Sequence, residues 1–200
     1  IACIGIAWSK LEAICIPLMC TERGSGYWSE DEEAEIVYRL WCLLTHPNAV
    51  VVGQNFHYDA QYTDRSWGFV PRLVRDTMIG QHSCFSTMPK GLDFLSSMYC
   101  GFHEYWKDEG KEWNPAIPED QYWAYNCKDA VITYEVDEEE QKVVDAIGVR
   151  SAHDFQQQLW WPVLRTMQRG VRINESTRSQ YRIEVQRQID ERQSWVEEVL

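Results

Sequence analysis

Val51-Val52-Gly53-Gln54-Asn55-Phe56-His57-Tyr58-Asp59 decides how this chain is read. The apolar run from Ala49 through Val52 reads as a short strand buried on both faces, and Gly53 closes it. A helix then runs from about Phe56 to Trp67, which puts Asn55 and Asp59, four apart, on one side of it. Tyr125-Asn126-Cys127-Lys128-Asp129 repeats that spacing inside a helical pattern from Glu119 to about Ile147, with Gly148 as its stop. Two distant elements thus each carry a carboxylate and a polar partner one turn away.

The rest of the chain frames these two motifs. Cys3 to Trp8 and Glu12 to Leu18 read as a hairpin turning at Ser9-Lys10. Ser29-Glu30-Asp31-Glu32 is a capping box, followed by a helix with Ile36, Val37, Leu40, Trp41 and Leu44 on one face and ended by Pro47. Val70 to Val74 reads as a further strand, and Asp76 caps a helix through about Phe85. Leu92, Leu95, Met98 and Tyr99 mark a short helix, and Gly101 to Pro118 a polar, aromatic loop. Ser151 opens a helix that ends at Arg169-Gly170, Val171 to Ile173 is extended, and Asn174 caps a last polar helix. The pattern predicts an α/β fold, a mixed sheet flanked by helices with a C-terminal helical extension.

The chain has 200 residues and a net charge of -12. Residues 151–200 hold seven arginines and seven acids, so the whole excess lies before them. An acidic body argues against a protein that reads duplex DNA through a basic face. It does not argue against a nuclease, whose metal-binding carboxylates are acidic by necessity. No apolar run approaches a membrane span. The apolar start is interrupted by Lys10 and Glu12 and has no basic lead, so it reads poorly as a signal peptide. Seven cysteines without paired short spacing read as free thiols in a reducing cytoplasm.

Phosphodiester cleavage needs water made nucleophilic near neutral pH and a stabilised leaving oxygen. Two divalent ions about 4 Å apart do both. Magnesium takes oxygen ligands, so carboxylates from separate elements must converge. Asp59 and Asp129 are the candidate ligands, Tyr125 the group that orients the attacking water, and Asn55 a hydrogen-bonding partner.

These residues resemble a known family. Val51 to Asp59 looks like the second motif of the proofreading 3'-5' exonuclease domain of family A DNA polymerases, and Tyr125 to Ala130 like its third motif in the tyrosine subtype of the DEDD exonucleases. Asp76-Thr77-Met78 and Leu92-Asp93-Phe94-Leu95 resemble the intervening helices, and Tyr105 to Lys111 a loop of phage-type members. Leu164 to Asn174 resembles the start of the polymerase region, before the thumb. The resemblance implies a ribonuclease H-like exonuclease fold over 1–148, incomplete at its N-terminus, and the first thumb helices over 149–200. It implies two Mg2+ (or Mn2+) ions and the 3' end of single-stranded DNA as substrate. It also implies a polymerase domain in the same parent chain, no membrane, and a cytoplasmic setting (the host's, if phage-encoded). Gln54 and Tyr58 would contact the terminal nucleotides.

The chain also departs from the family. The family's Asp-x-Glu first motif and first strand would precede Ile1, which reads as a cut from a longer protein. The piece alone is therefore expected to bind metal weakly and cleave slowly or not at all. Two other readings stand beside this one: a ribonuclease D-like exoribonuclease of the same subtype, and a degenerate scaffold bracing a polymerase. The acids Glu135 and Asp137 to Glu140 read as a solvated helix face. Lys128 reads either as a phosphate contact or as a solvent-facing lysine, and the seven arginines after Arg150 either as a lining for duplex DNA or as partners of neighbouring acids.

Overall fold

A computed structural model describes residues 1–20, 24–72, 74–110 and 118–199 of the chain. The opening residues pair as antiparallel strands β1 (Cys3–Ala7) and β2 (Ala13–Pro17), with Gly5 opposite Cys15. Trp8 Nε1 and Ser9 Oγ both donate to Glu12 Oε2, at 3.0 and 3.2 Å, so Glu12 ties the turn together rather than starting the second strand. A small pair follows, β3 (Met19–Cys20) with β4 (Ser25–Gly26). Helix α1 (Glu30–Leu44) starts with the expected capping box. Ser29 Oγ accepts from the Glu32 amide at 3.4 Å, and Glu32 Oε2 accepts from the Ser29 amide at 3.0 Å.

β5 (Val51–Gly53) runs parallel to β6 (Val74–Asp76), with Gly53 opposite Asp76. β6 starts where the expected strand ends, and Leu73 lies outside the described residues. β5 is half-buried rather than buried on both faces, because β6 is its one partner strand among the described residues. Helices α2 (His57–Trp67), α3 (Thr77–Cys84) and α4 (Leu92–Tyr99) follow, then a 3-10 turn, Lys107–Gly110. Residues 111–117 of the expected polar loop lie outside the described residues.

Long helix α5 (Glu119–Ala146) ends at Gly148, whose φ of 73° is the left-handed conformation that glycine adopts without steric cost. Among the described residues the strands form three separate pairs rather than one continuous sheet. α5 joins two of these pairs, packing on β1 and β2 and on β5, as well as on α3 and α4. One core forms where Leu92, Leu95 and Tyr99 of α4 meet Trp106 and Val131, Ile132 and Val136 of α5.

The helix expected from Ser151 to Arg169 is two helices, α6 (Arg150–Gln158) and α7 (Trp160–Arg169). Pro162 supplies the reason: it has no N–H for the Gln158 carbonyl, and its ring crowds that carbonyl. Trp160 and Leu164 form a second core with Ala60, against which Phe56, Val70 and Val74 pack. The first compact unit, Ile1–Arg165, therefore includes α6 and the start of α7.

The second unit, Thr166–Leu200, is dominated by α8 (Glu175–Val199). Asn174 Oδ1 accepts the Thr177 amide at 3.1 Å, the cap expected there. No described residue of α8 is buried. Arg178 pairs with Glu175, and Arg187 with Glu184 and Glu191, so these two arginines carry local ion pairs. Among the described residues, no helix is long and apolar enough to cross a membrane.

Candidate active site

The second motif is held by a side chain that its own sequence does not contain. Asp76, fully buried at the end of β6, caps α3 by accepting the Met78 amide at Oδ1 (2.9 Å). The same carboxylate reaches across to β5 and accepts the amides of Asn55 (3.0 Å, Oδ1) and Phe56 (2.7 Å, Oδ2). These two residues are thereby drawn out of the helix expected to include Phe56. Asn55 adopts φ 53°, a left-handed conformation that asparagine tolerates, and α2 begins at His57. Asn55 and Asp59 therefore do not share a helix face. Asn55 is an exposed turn residue, and Asp59 lies in the first turn of α2.

Gln54 faces inward: its Nε2 donates to the Lys90 carbonyl at 2.6 Å, and its Oε1 accepts from Thr77 Oγ1. Tyr58 is 57% exposed, its ring 5.1 Å from that of Tyr62. Asp59 keeps an edge open to solvent, yet the chain around it pushes its pKa up. Its own amide opposes the rise and the nearby charge of Asp76 adds to it. His57 stacks on Trp160 and donates from Nε2 to the Trp160 carbonyl at 2.9 Å, a structural role.

The third motif is a compact cluster. Tyr125 and Asp129 stand one turn apart on α5, as the spacing predicts, and Lys107 joins them. Lys107 Nζ donates to Asp129 Oδ1 at 2.9 Å and to the Tyr125 hydroxyl oxygen at 3.1 Å. Trp106 Nε1 donates to the same Oδ1 at 2.6 Å. The ammonium lies 4.9 Å from the Trp106 ring centroid and 5.3 Å from that of Tyr125. Burial works against the Lys107 charge, but its bonds to Asp129 and Tyr125 outweigh that and raise its pKa.

The family profile of 3'-5' exonuclease domains of DNA polymerase A type matches residues 6–145. The chain belongs to that family. The match begins within β1 and takes in β2, both motifs and nearly all of α5. No curated protein matches the chain.

Within this exonuclease domain, three acids of α5 are not where their polarity suggests. Glu135, Asp137 and Glu140 are 3, 5 and 1% exposed, not a solvated face. Glu135 Oε1 accepts the amides of Gly101 and Phe102, both at 3.2 Å, and so closes the turn after α4. Asp137 pairs with Arg75. Glu140 lies against Gly80, its carboxyl oxygens without a hydrogen-bond partner among the described residues.

Sequence reasoning missed Asp76 and Lys107 as site residues. Asp76 carried a local signal, its helix cap, but the amides it holds are distant in sequence. Lys107 lay in a polar stretch without periodicity, and only the fold brings it to α5. The donor set for a metal is incomplete here. Among the described residues no three His, Cys, Asp or Glu side chains converge on one point, and Asp129 Oδ1 already serves two donors. The residues present do not by themselves make a cation site.

Proposed function

We propose that this chain is the proofreading domain of a family A DNA polymerase of the tyrosine subtype, hydrolysing the 3'-terminal phosphodiester of single-stranded DNA. The observation that carries the reading is the Tyr125–Asp129 pair on α5 within the family match. In such a site two divalent ions, Mg2+ or Mn2+, supply a nucleophilic water and charge for the leaving oxygen. Asp59 and Asp129 would be protein ligands to them. Two carboxylates are fewer than an ion pair needs, so the chain alone is expected to be a poor hydrolase.

An ammonium group only donates, so the Tyr125 oxygen accepts from Lys107 and its O–H proton is left to point at another acceptor. That is the polarity needed to orient a water. Tyr58, exposed beside the second motif, offers a ring for a terminal base or sugar. Gln54 is engaged by Lys90 and Thr77, which favours a role in shaping the Gly53–Asn55 turn over contact with the nucleotide. The ribonuclease H-like sheet, the two-domain division at 148, the polymerase partner and a reducing cytoplasmic setting belong to the same proposal.

The test is release of mononucleotides from 3'-labelled single-stranded DNA by the intact protein that carries this chain, with RNA of the same sequence alongside. DNA cleavage lost in both Asp59→Asn and Asp129→Asn supports the reading. Preference for RNA would move the assignment to an exoribonuclease. Absence of cleavage by the wild-type protein would leave a scaffold.

A further inference from the structure

We propose that the groove between α1 and the end of α2 is a docking site for a basic linear segment of a partner protein, one that carries a lysine or arginine and an apolar side chain a few residues apart. The inference stands independently of the reading of Asp59 and Asp129.

The groove has two walls. Glu30, Glu33, Val37 and Trp41, spaced three or four residues apart, share one face of α1, with Tyr38 beside them. The second wall is formed where α2 stops. Gly68, at φ 73°, donates its N–H to the Asp64 carbonyl at 2.8 Å and ends the helix. Phe69 then stacks against Trp67, their ring centroids 6.0 Å apart. The space between the walls is about 690 Å3.

The lining selects the occupant. Tyr38 and Trp41 are both exposed and stacked on each other, with centroids 5.8 Å apart. Large aromatic rings left in water are enriched where proteins meet partners. Glu30 and Glu33 stand at the other end of the same face, without a cation partner among the described residues. The ion pair that α1 does carry, Arg39 with Glu35, lies off this wall. No lysine or arginine lines the groove among the described residues. A nucleic-acid strand would bring phosphates to these carboxylates, and a second copy of the same face would bring carboxylates to carboxylates. Both arrangements repel. A basic segment complements the groove. Glu33 and Trp41 are eight residues apart, which is about 12 Å along a helix and about the reach of four residues of extended chain. A lysine or arginine on Glu30 and Glu33 thus places an apolar side chain, about four positions away, against Trp41.

The experiment is selection of random phage-displayed peptides of about twelve residues on the immobilised full chain. The selected peptides are then titrated by fluorescence anisotropy, with light scattering of the chain alone and with single-stranded DNA as a second probe. The peptides are expected to share a lysine or arginine about four positions from a leucine, methionine or aromatic residue. Trp41→Ala is expected to weaken them about thirtyfold, the scale of an aromatic anchor. Glu30→Gln combined with Glu33→Gln is expected to weaken them about tenfold and to remove most of the salt dependence. Tyr38→Ala, at another exposed position of the same wall, takes the place of Trp41→Ala if that variant does not fold. No enrichment, selected peptides without a basic residue, or equal binding to these variants overturns the inference. A dimer lost in Trp41→Ala assigns the groove to a second copy instead, and DNA binding lost in Trp41→Ala assigns it to a nucleic acid; either result overturns the inference as well.

Discussion

Gln157 of α6 grips the backbone of Asp76 at two points, its Oε1 accepting the Asp76 amide at 2.9 Å and its Nε2 donating to the Asp76 carbonyl at 3.0 Å. The Asp76 side chain in turn holds Asn55 and Phe56. The turn that leads into Asp59 is therefore fixed by a chain of hydrogen bonds starting on a helix beyond the family match. Asp76→Asn tests the middle link. An asparagine amide has one accepting oxygen where the carboxylate has two, so at least one buried N–H loses its partner. The expected cost is about 1–3 kcal/mol, read as a lower urea midpoint with an unchanged slope. Equal midpoints would show that the carboxylate does not hold the turn.

Trp160 braces the same turn from the other side. Its ring, 1% exposed, lies 4.8 Å from that of His57 and 6.1 Å from that of Phe56. Trp160→Ala is expected to destabilise the first unit by about 3–5 kcal/mol, the range for a large side chain removed from a core. Trp161→Ala, at a half-buried position, is expected to cost clearly less. Similar losses at the two positions would contradict this account of the packing.

Short-range chemistry made part of this architecture legible in the sequence. The Ser29–Glu32 box, the stop at Gly148 and the Asn174 cap are each settled within a few residues, and each stands where it was expected. The same holds for the one-turn spacing of Tyr125 and Asp129. What could not be read depended on distant neighbours. Glu135, Asp137 and Glu140 look like solvent-facing acids until α3, β6 and the turn at Gly101 are packed over them. The left-handed Asn55 follows from Asp76, which reaches it through strand pairing that no local pattern encodes.

Tyr125→Phe separates chemistry from packing at the third motif. The ring packs against the core around Trp106 and Ile132, so stability should change little. The hydroxyl that accepts from Lys107 is lost. In the intact protein, single-turnover release of the 3' nucleotide is expected to fall about a hundredfold or more, the scale of a positioned proton-handling group. Unchanged release would remove Tyr125 from the reaction.

Gly80 of α3 is a site of close approach. A Cβ there would lie 1.9 Å from Glu140 Oε2 and 2.4 Å from its Cδ. Alanine is the better helix former by about 1 kcal/mol, but overpacking of this kind costs about 1–3 kcal/mol. Gly80→Ala is expected to be destabilising on balance. Combined with Glu140→Ala, the clash disappears and the helix preference remains. A double-mutant cycle should thus show favourable coupling between the two substitutions, and strict additivity would argue against the contact.

Glu140 also gives the first unit a pH dependence of definite sign. Burial, followed by the charges of Asp137 and Asp76, pushes its carboxyl from 4.5 up to about 9, with Arg75 opposing. Cys84 and Tyr99 also face it, and both feel its charge. The folded state therefore holds a proton that the unfolded chain releases near the ordinary glutamate range. Between those two values the folded form binds more protons than the unfolded, so stability falls as pH rises, by up to about 1.4 kcal/mol per pH unit. Below that window the group contributes no slope. Glu140→Gln keeps the neutral shape and cannot ionise, so its unfolding free energy should vary less between pH 5 and 9 than that of wild type, the difference isolating Glu140 from the other carboxyls with raised pKa, Asp59, Asp76 and Asp137. Parallel profiles for the two proteins, measured by urea unfolding across that range, would mean that Glu140 is ionised in the folded state at neutral pH.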